Sequence, residues 1–432
     1  MIKKSLLLAV FLCAGILFAQ DEKKDDFKWF GTVYLRPNLD TRDFSNETHP
    51  IFYTMQRVAF GFEKQIWPNI TVFAEAMDSR VWGQNQNARK SIANLDLHQG
   101  YVKFDKLFGA PVSLKLGRME FNFMQKILAN SNWQDVPSAF DGFDATFNLG
   151  ESVKLDVFGA QVVNSTGYFA MAQPSNYSYP AAPDPGFYMG GATLKWDISR
   201  GQSLVPIIMH ETQSRIADKY NELTKTTIAA DYFYKSGSLD VSLHGGYMMG
   251  TTVSSAASKA EKDIAAFGAH AFIGYNLGIV KPVLLVDINS GTKKEDQAEN
   301  NNLYISSFSG KHIFLGDADY FVNMATGTQG LGVNDFGAKF IFNEKGPLSF
   351  YVAGHYFLTN VPGVDADGNE TSDLGTEIDL NLKYTYSKKM FLDWGVAAFL
   401  PGEIMKQVYT TNSGFVREDM GLYSYFRIMF NF

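Results

Sequence analysis

Apolar and polar residues alternate along most of this chain. Over 374–386, Ile378, Leu380, Leu382 and Tyr384 take one parity, while Glu377, Asp379, Asn381 and Lys383 take the other. A period of two is that of a β-strand whose two faces meet different surroundings. The same alternation, bounded by turn residues, predicts strands over 28–39, 52–63, 70–83, 95–105, 111–120, 140–148, 152–164, 187–198 and 203–215, and again over 224–235, 238–250, 263–276, 279–290, 336–343, 347–359, 374–386, 389–400 and 420–432. That makes eighteen, and no long segment carries a helical period.

The gaps between these strands alternate in length. Short ones, such as Gly150-Glu151, Gly201-Gln202, Gly237 and Ser387-Lys388, take turns with long ones at 40–51, 84–94, 121–139, 165–186, 216–223, 251–262, 291–335, 360–373 and 401–419. Short turns at one end and long loops at the other are the pattern of a membrane-spanning meander. An even strand count puts all the long gaps at one end. The expected fold is an all-β transmembrane antiparallel β-barrel with short periplasmic turns and long extracellular loops. In hydrocarbon an unpaired backbone amide costs several kcal/mol, so the ladder has to close. A water-soluble repeat such as a propeller would not give the alternating gaps. The last segment, Met420 to Phe432, alternates in the same way and stops on an aromatic residue.

The start of the chain adds an address. Lys3 and Lys4 precede an apolar run from Leu6 to Phe18, and Ala19 offers a small residue for cleavage. This predicts a signal peptide over 1–19, too short for a permanent span of about 20 residues. Residues 20–27 then form a periplasmic tail and 28–432 the barrel, in the outer membrane of a Gram-negative-type bacterium. The partners expected are outer-membrane lipid and lipopolysaccharide, the barrel-assembly machinery, and a polar or anionic solute. Cys13, the only cysteine, lies in the leader.

Composition fits this picture: aromatic residues are 15%, charged residues 19%, and there are 38 glycines. The net charge of −7 becomes more negative once Lys3 and Lys4 leave, which argues against a nucleic-acid partner. No proline-rich or low-complexity linker divides the chain.

Parity names the interior face, because a charge at mid-depth on the lipid face costs roughly 2–4 kcal/mol for Lys or Arg. By that rule Arg57, Glu63, Lys154, Asp156, Asp231, Asp240, His244, Lys281, Asp287, Lys339, Glu377, Asp379, Lys383, Asp393 and Arg427 face inward. Such a lining serves hydration and cross-strand pairing, or forms a selectivity ladder for a charged solute. Asp365, Asp367 and Asn369 space oxygen atoms as a calcium loop does, but the glycine is misplaced for an EF-hand and Thr376 stands at the bidentate position. The seven histidines, including His98, His210, His244 and His355, show no metal-ligand spacing. No Gly-x-Ser-x-Gly elbow occurs, so neither catalysis nor a cofactor is indicated.

Leu114-Lys-Leu-Gly-Arg-Met-Glu-Phe-Asn-Phe123, followed by Asn132-Trp133 and Phe140-Asp-Gly-Phe143, resembles the motif of the alginate-export family of outer-membrane porins. Leu303-Tyr304, Lys311-His312, Gly316, Asp319-Tyr-Phe321 and Gln329 to Asp335 look like an external loop region and re-entry of that family. Met124-Gln125-Lys126 and Ser138-Ala139 depart from it, standing where the family carries Gly-Asp with a basic residue and an arginine. The resemblance implies an eighteen-stranded barrel, a basic pore and passage of an anionic polysaccharide. It adds Arg118 and Glu120 to the pore-lining candidates and makes Lys126, Trp133 and Asp141 candidates for a constricting loop. A general diffusion porin for small nutrients and a surface barrel whose loops bind a partner are the alternative readings.

Overall fold

The computed structural model describes residues 27–83, 95–131, 133, 136–162, 187–213, 222–253, 260–306, 308–310, 312–413 and 417–432. The expected leader and tail, and much of the gaps at 84–94, 165–186, 216–223 and 251–262, lie outside the described residues. Nine strands form the first half: β1 (Phe27–Asp40), β2 (Ile51–Trp67), β3 (Ile70–Val81), β4 (Leu95–Phe104), β5 (Val112–Met119), β6 (Phe140–Asn148), β7 (Val153–Gln161), β8 (Phe187–Ser199) and β9 (Gln202–Gln213). Nine more follow: β10 (Leu223–Ser236), β11 (Leu239–Val253), β12 (Glu261–Tyr275), β13 (Val280–Asn289), β14 (Val333–Phe342), β15 (Leu348–Val364), β16 (Glu370–Ser387), β17 (Met390–Pro401) and β18 (Gly421–Asn431).

Each strand pairs antiparallel with its sequence neighbours, and β18 returns to β1, giving a closed barrel of 18 strands. At the seam Thr32 opposes Asn431 and Asp40 opposes Tyr423. Phe432 extends the ladder, its amide donating to the Gly31 carbonyl at 3.1 Å. Gly31 is required there: a Cβ on it would come within 2.3 Å of the Phe432 ring.

The outward face carries the apolar parity. On β16, Ile378 is 57% exposed to the surroundings of the barrel, whereas Glu377 is 0% exposed and held inside. Aromatic pairs such as Trp29–Phe60, with centroids 5.1 Å apart, lie on the same outer surface.

Two elements differ from the sequence expectation. The gap at 360–373 is not a long loop, because β15 and β16 continue as a hairpin to a tight turn at 365–369. Pro362 and Gly363 hide that extension from a propensity reading, and the register shift between Leu358 and Gly363 absorbs them. The gap at 401–419 contains a helix, Glu403–Ser413. Ile404, Met405 and Val408 form one helical stripe and are buried against Leu331, Leu374 and Phe357 inside the barrel mouth.

Placing a lysine at Leu380 should destabilise the folded barrel in vesicles by roughly 2–4 kcal/mol, read from urea unfolding. An unchanged midpoint would show that this face does not meet hydrocarbon.

Candidate functional site

Segments 120–139 and 290–332 both leave strands at the long-loop end and fold back into the barrel. Their apolar residues explain the insertion. Phe121, Met124, Ile127, Leu128, Tyr304 and Phe308 bury themselves against Phe140, Phe158, Met189, Met209 and Met248 of the inner wall. Gly246 and Gly268 leave the hole that Tyr304 fills, since a Cβ on Gly268 would lie 2.1 Å from its ring. The two segments also pair with each other. The Ala129 amide donates to the Phe308 carbonyl at 3.0 Å, the Gly310 amide to the Gln125 carbonyl at 2.7 Å, and the Ser306 hydroxyl to the Ile127 carbonyl at 2.5 Å.

Trp133 fastens this insertion to the wall. Its indole N–H donates to Asp319 Oδ2 at 2.8 Å, and its ring stacks on His312 with centroids 3.5 Å apart. Its carbonyl accepts from Arg36 Nη1 at 3.1 Å, while the Arg36 guanidinium lies 3.7 Å from the indole centroid. Arg427 approaches the same ring at 5.5 Å and is held by two hydrogen bonds to Asp393, at 2.8 and 2.5 Å. Arg57 sits 5.0 Å from the Tyr34 ring, and Arg42 sits 4.1 Å from the Tyr423 ring while donating to the Ala318 carbonyl at 2.6 Å. Strands β1, β2 and β18 therefore present arginines laid over aromatic rings, an arrangement that keeps the guanidinium planes fixed.

The facing wall is built from β10 to β16 and has the opposite character. A recess of about 440 Å³ is lined there by Lys126, Asp231, Asp240, His244, His270, Asp287, Asp317, Asp335, Lys339 and His355 among others. Histidine–aspartate pairs recur: His244 with Asp231 and His270 with Asp287, both at 2.6 Å, and His355 with Asp335 at 2.9 Å. Lys126 reaches from the inserted segment to Asp287. Lys339 lies 3.4 Å from the Tyr351 ring, and the Tyr351 hydroxyl bonds Asp317. Nearer the short-turn end, Lys281 joins Asp240 at 2.8 Å and Glu344 at 3.1 Å.

All the residues named from parity lie on the interior parity: Arg57, Glu63, Lys154, Asp156, Asp231, Asp240, His244, Lys281, Asp287, Lys339, Glu377, Asp379, Lys383, Asp393 and Arg427. Glu63 and Lys154 are near the short-turn end and pair with Lys28 and Asp156 at 3.0 Å each. Arg118 and Asp141 are corrections. Both share the outward parity of Leu116 and Phe143 and pair across β5 and β6 at 3.2 Å, so neither faces the interior and Asp141 belongs to a strand, not a loop. A charge on the outward face is cheap there because the strand has reached the rim, where the lipid penalty falls toward zero. Glu120, just past the end of β5, turns inward to His98 at 2.8 Å. Burial pushes the Glu120 carboxyl up, but hydrogen bonds from His98, Asn130 and Asn122 outweigh it and hold the group below the usual range. Trp133 and Lys126 do lie on the inserted segment; Asn132 and Lys311 fall outside the described residues.

The Asp365 carboxylate is used by its own turn, accepting from the amides of Asp367 and Asn369 at 2.9 and 2.8 Å. The Asn369 amide above all holds its pKa below the usual carboxylate range. That turn accounts for the spacing without calcium. Sequence reading missed Arg36, Arg42, Tyr34 and Tyr425, and it met His312 and Asp319 only within the family resemblance, with no role assigned to either. Parity alone would have found Arg36, which stands between Tyr34 and Asn38 on the inner face; the loop residues carry no periodic signal.

Residues 38–325 match the Alginate export family. The chain belongs to that family. This chain's barrel has many solved counterparts in shape. The crystal structure of Acinetobacter baumannii OccAB4 matches with a TM-score of 0.58 at 10% identity, covering 95% of this chain and 99% of that one. Pseudomonas aeruginosa OpdO matches with a TM-score of 0.59 at 14% identity, covering 94% and 97%. Acinetobacter baumannii OccAB1 gives 0.58 at 13%, covering 96% and 99%. At such identities the likeness establishes the fold, that of outer-membrane channels. None of the functionally curated proteins matches the sequence.

In this alginate-export family barrel, Trp133→Ala should release the inserted segments and raise single-channel conductance in planar bilayers. A conductance equal to that of the unaltered protein would mean that Trp133 does not hold the inserted segments in the lumen.

Proposed function

We propose that this protein is a passive outer-membrane channel biased toward anionic solutes, an acidic polysaccharide or oligosaccharide being the class that fits best. The observation that carries the reading is the gathering of Arg36, Arg57 and Arg427 around Tyr34 and Trp133 where the inserted segments meet the wall. Guanidinium groups bind carboxylates bidentately, and flat aromatic faces suit the apolar faces of sugar rings. Membership of the Alginate export family supports the same substrate class. Membrane lipid surrounds the apolar outer face, and the chemistry needs no cofactor and no covalent step.

The facing wall favours a second reading, general diffusion of small charged nutrients. Aspartates and histidines opposite arginines set a field across the lumen that orients a dipolar solute whatever its identity.

Reversal potentials under a salt gradient separate the two. The anionic reading expects chloride to be preferred over potassium, with the preference reduced by Arg57→Ala and untouched by Arg118→Ala, whose side chain lies on the outer face. Equal permeability of the two ions, insensitive to Arg57→Ala, would favour general diffusion instead.

A further inference from the structure

Glu75, His98 and Glu120 come from three neighbouring pieces of chain: β3, β4 and the first residue after β5. One potential ligand atom from each lies within 4.8 Å of the others. A bulge builds this convergence. Gln99 opposes Glu75 and Leu97 opposes Ala76, so His98 is the extra residue on β4. In a regular strand His98 would point away from the face that Gln99 occupies. The bulge re-aims it inward, where it is 5% exposed and its Nε2 is 2.8 Å from Glu120 Oε1.

The surrounding amides hold the carboxylates in place. Gln99 Nε2 donates to Glu75 Oε2 at 2.9 Å, and Gln99 Oε1 accepts the Glu120 backbone N–H at 3.2 Å. Asn122 Nδ2 donates to Glu120 Oε2 at 3.3 Å. Outer hydrogen bonds of this kind orient the ligands of metal sites.

A plain histidine–glutamate ion pair explains only part of the cluster. Two carboxylates beside one imidazole stay net negative whether or not the imidazole is protonated. A divalent cation with neutral imidazole brings the sum to zero. Bonds of roughly 2.0–2.2 Å to nitrogen and carboxylate oxygen would put neighbouring ligand atoms roughly 3 Å apart, which small side-chain rotations reach from here. One imidazole nitrogen with two carboxylates favours a divalent transition-metal ion, which accepts both donor types, over calcium and magnesium, which take oxygen.

We propose that Glu75, His98 and Glu120 bind a divalent transition-metal ion of the Zn²⁺ or Mn²⁺ class, tying the root of segment 120–139 to the barrel wall. Glu120 begins that segment, whose far part carries Trp133 to Arg36 on the seam strand β1. The ion thus acts as a staple on the loop and takes no part in permeation chemistry. The proposal is independent of which solute crosses the barrel.

The test uses the folded, tag-free protein in detergent, stripped with EDTA and dialysed against Zn²⁺ or Mn²⁺, with bound metal counted by mass spectrometry. Heat-dependent gel mobility verifies that each barrel is folded. About one ion per chain is expected, with affinity reduced by about tenfold or more in both His98→Ala and Glu75→Gln. Glu75→Gln keeps an oxygen to accept from Gln99, so its loss of metal would report on ligation and not on packing. Folded protein that retains neither ion, or that retains as much in both variants as in the unaltered chain, overturns the proposal.

Discussion

A peptide group facing hydrocarbon must find a partner within the protein, and that constraint organises this molecule. Closing β18 onto β1 pairs the edge strands along the seam, down to the amide of Phe432. Closure also fixes parity: once one face meets lipid, every second residue is committed to the interior. Eighteen strands enclose more space than their own side chains fill. The chain therefore supplies filling from its long-loop end, as segments 120–139 and 290–332 and the helix Glu403–Ser413.

The filling divides the interior into two electrostatic walls. Arginines lie over tyrosine and tryptophan on β1, β2 and β18, while histidine–aspartate pairs and lysines line β10 to β16. Trp133 ties the arginine wall to the second inserted segment, because its ring stacks on His312, its N–H reaches Asp319 and its carbonyl holds Arg36. Most of these charges are already paired with a counter-charge or laid over a ring, so the lining is fixed in place by the protein itself. The fixed geometry of the arginines depends on the same packing that seats the inserted segments inside the barrel.

The barrel itself was plainly written in the sequence. Residues 377–384 declare both faces, and the alternation of gaps declares both ends. What resists reading lies where that two-sided environment ends. Arg118 has the outward parity but stands at the rim, where both faces are wet and parity no longer sorts charge from apolar side chains. The position of Tyr304 depends on glycines at 246 and 268, two strands of a distant hairpin, and no local pattern announces that hole. Glu75, His98 and Glu120 show no ligand spacing along the chain because strand pairing and one bulge, not sequence separation, bring them together.

Thiol modification beside the arginines tests the basic wall most directly. Cys13 is the only cysteine, so with Cys13→Ser a single thiol can be set at Met55, whose sulfur Arg36 Nη2 contacts at 2.6 Å. The chloride-to-potassium permeability ratio is then recorded before and after reaction with thiosulfonates of opposite charge and similar size. The account predicts that the negative reagent lowers the ratio and the positive reagent raises it. Equal ratios after both modifications would contradict it, since the permeating ion would then not sense charge at Arg36.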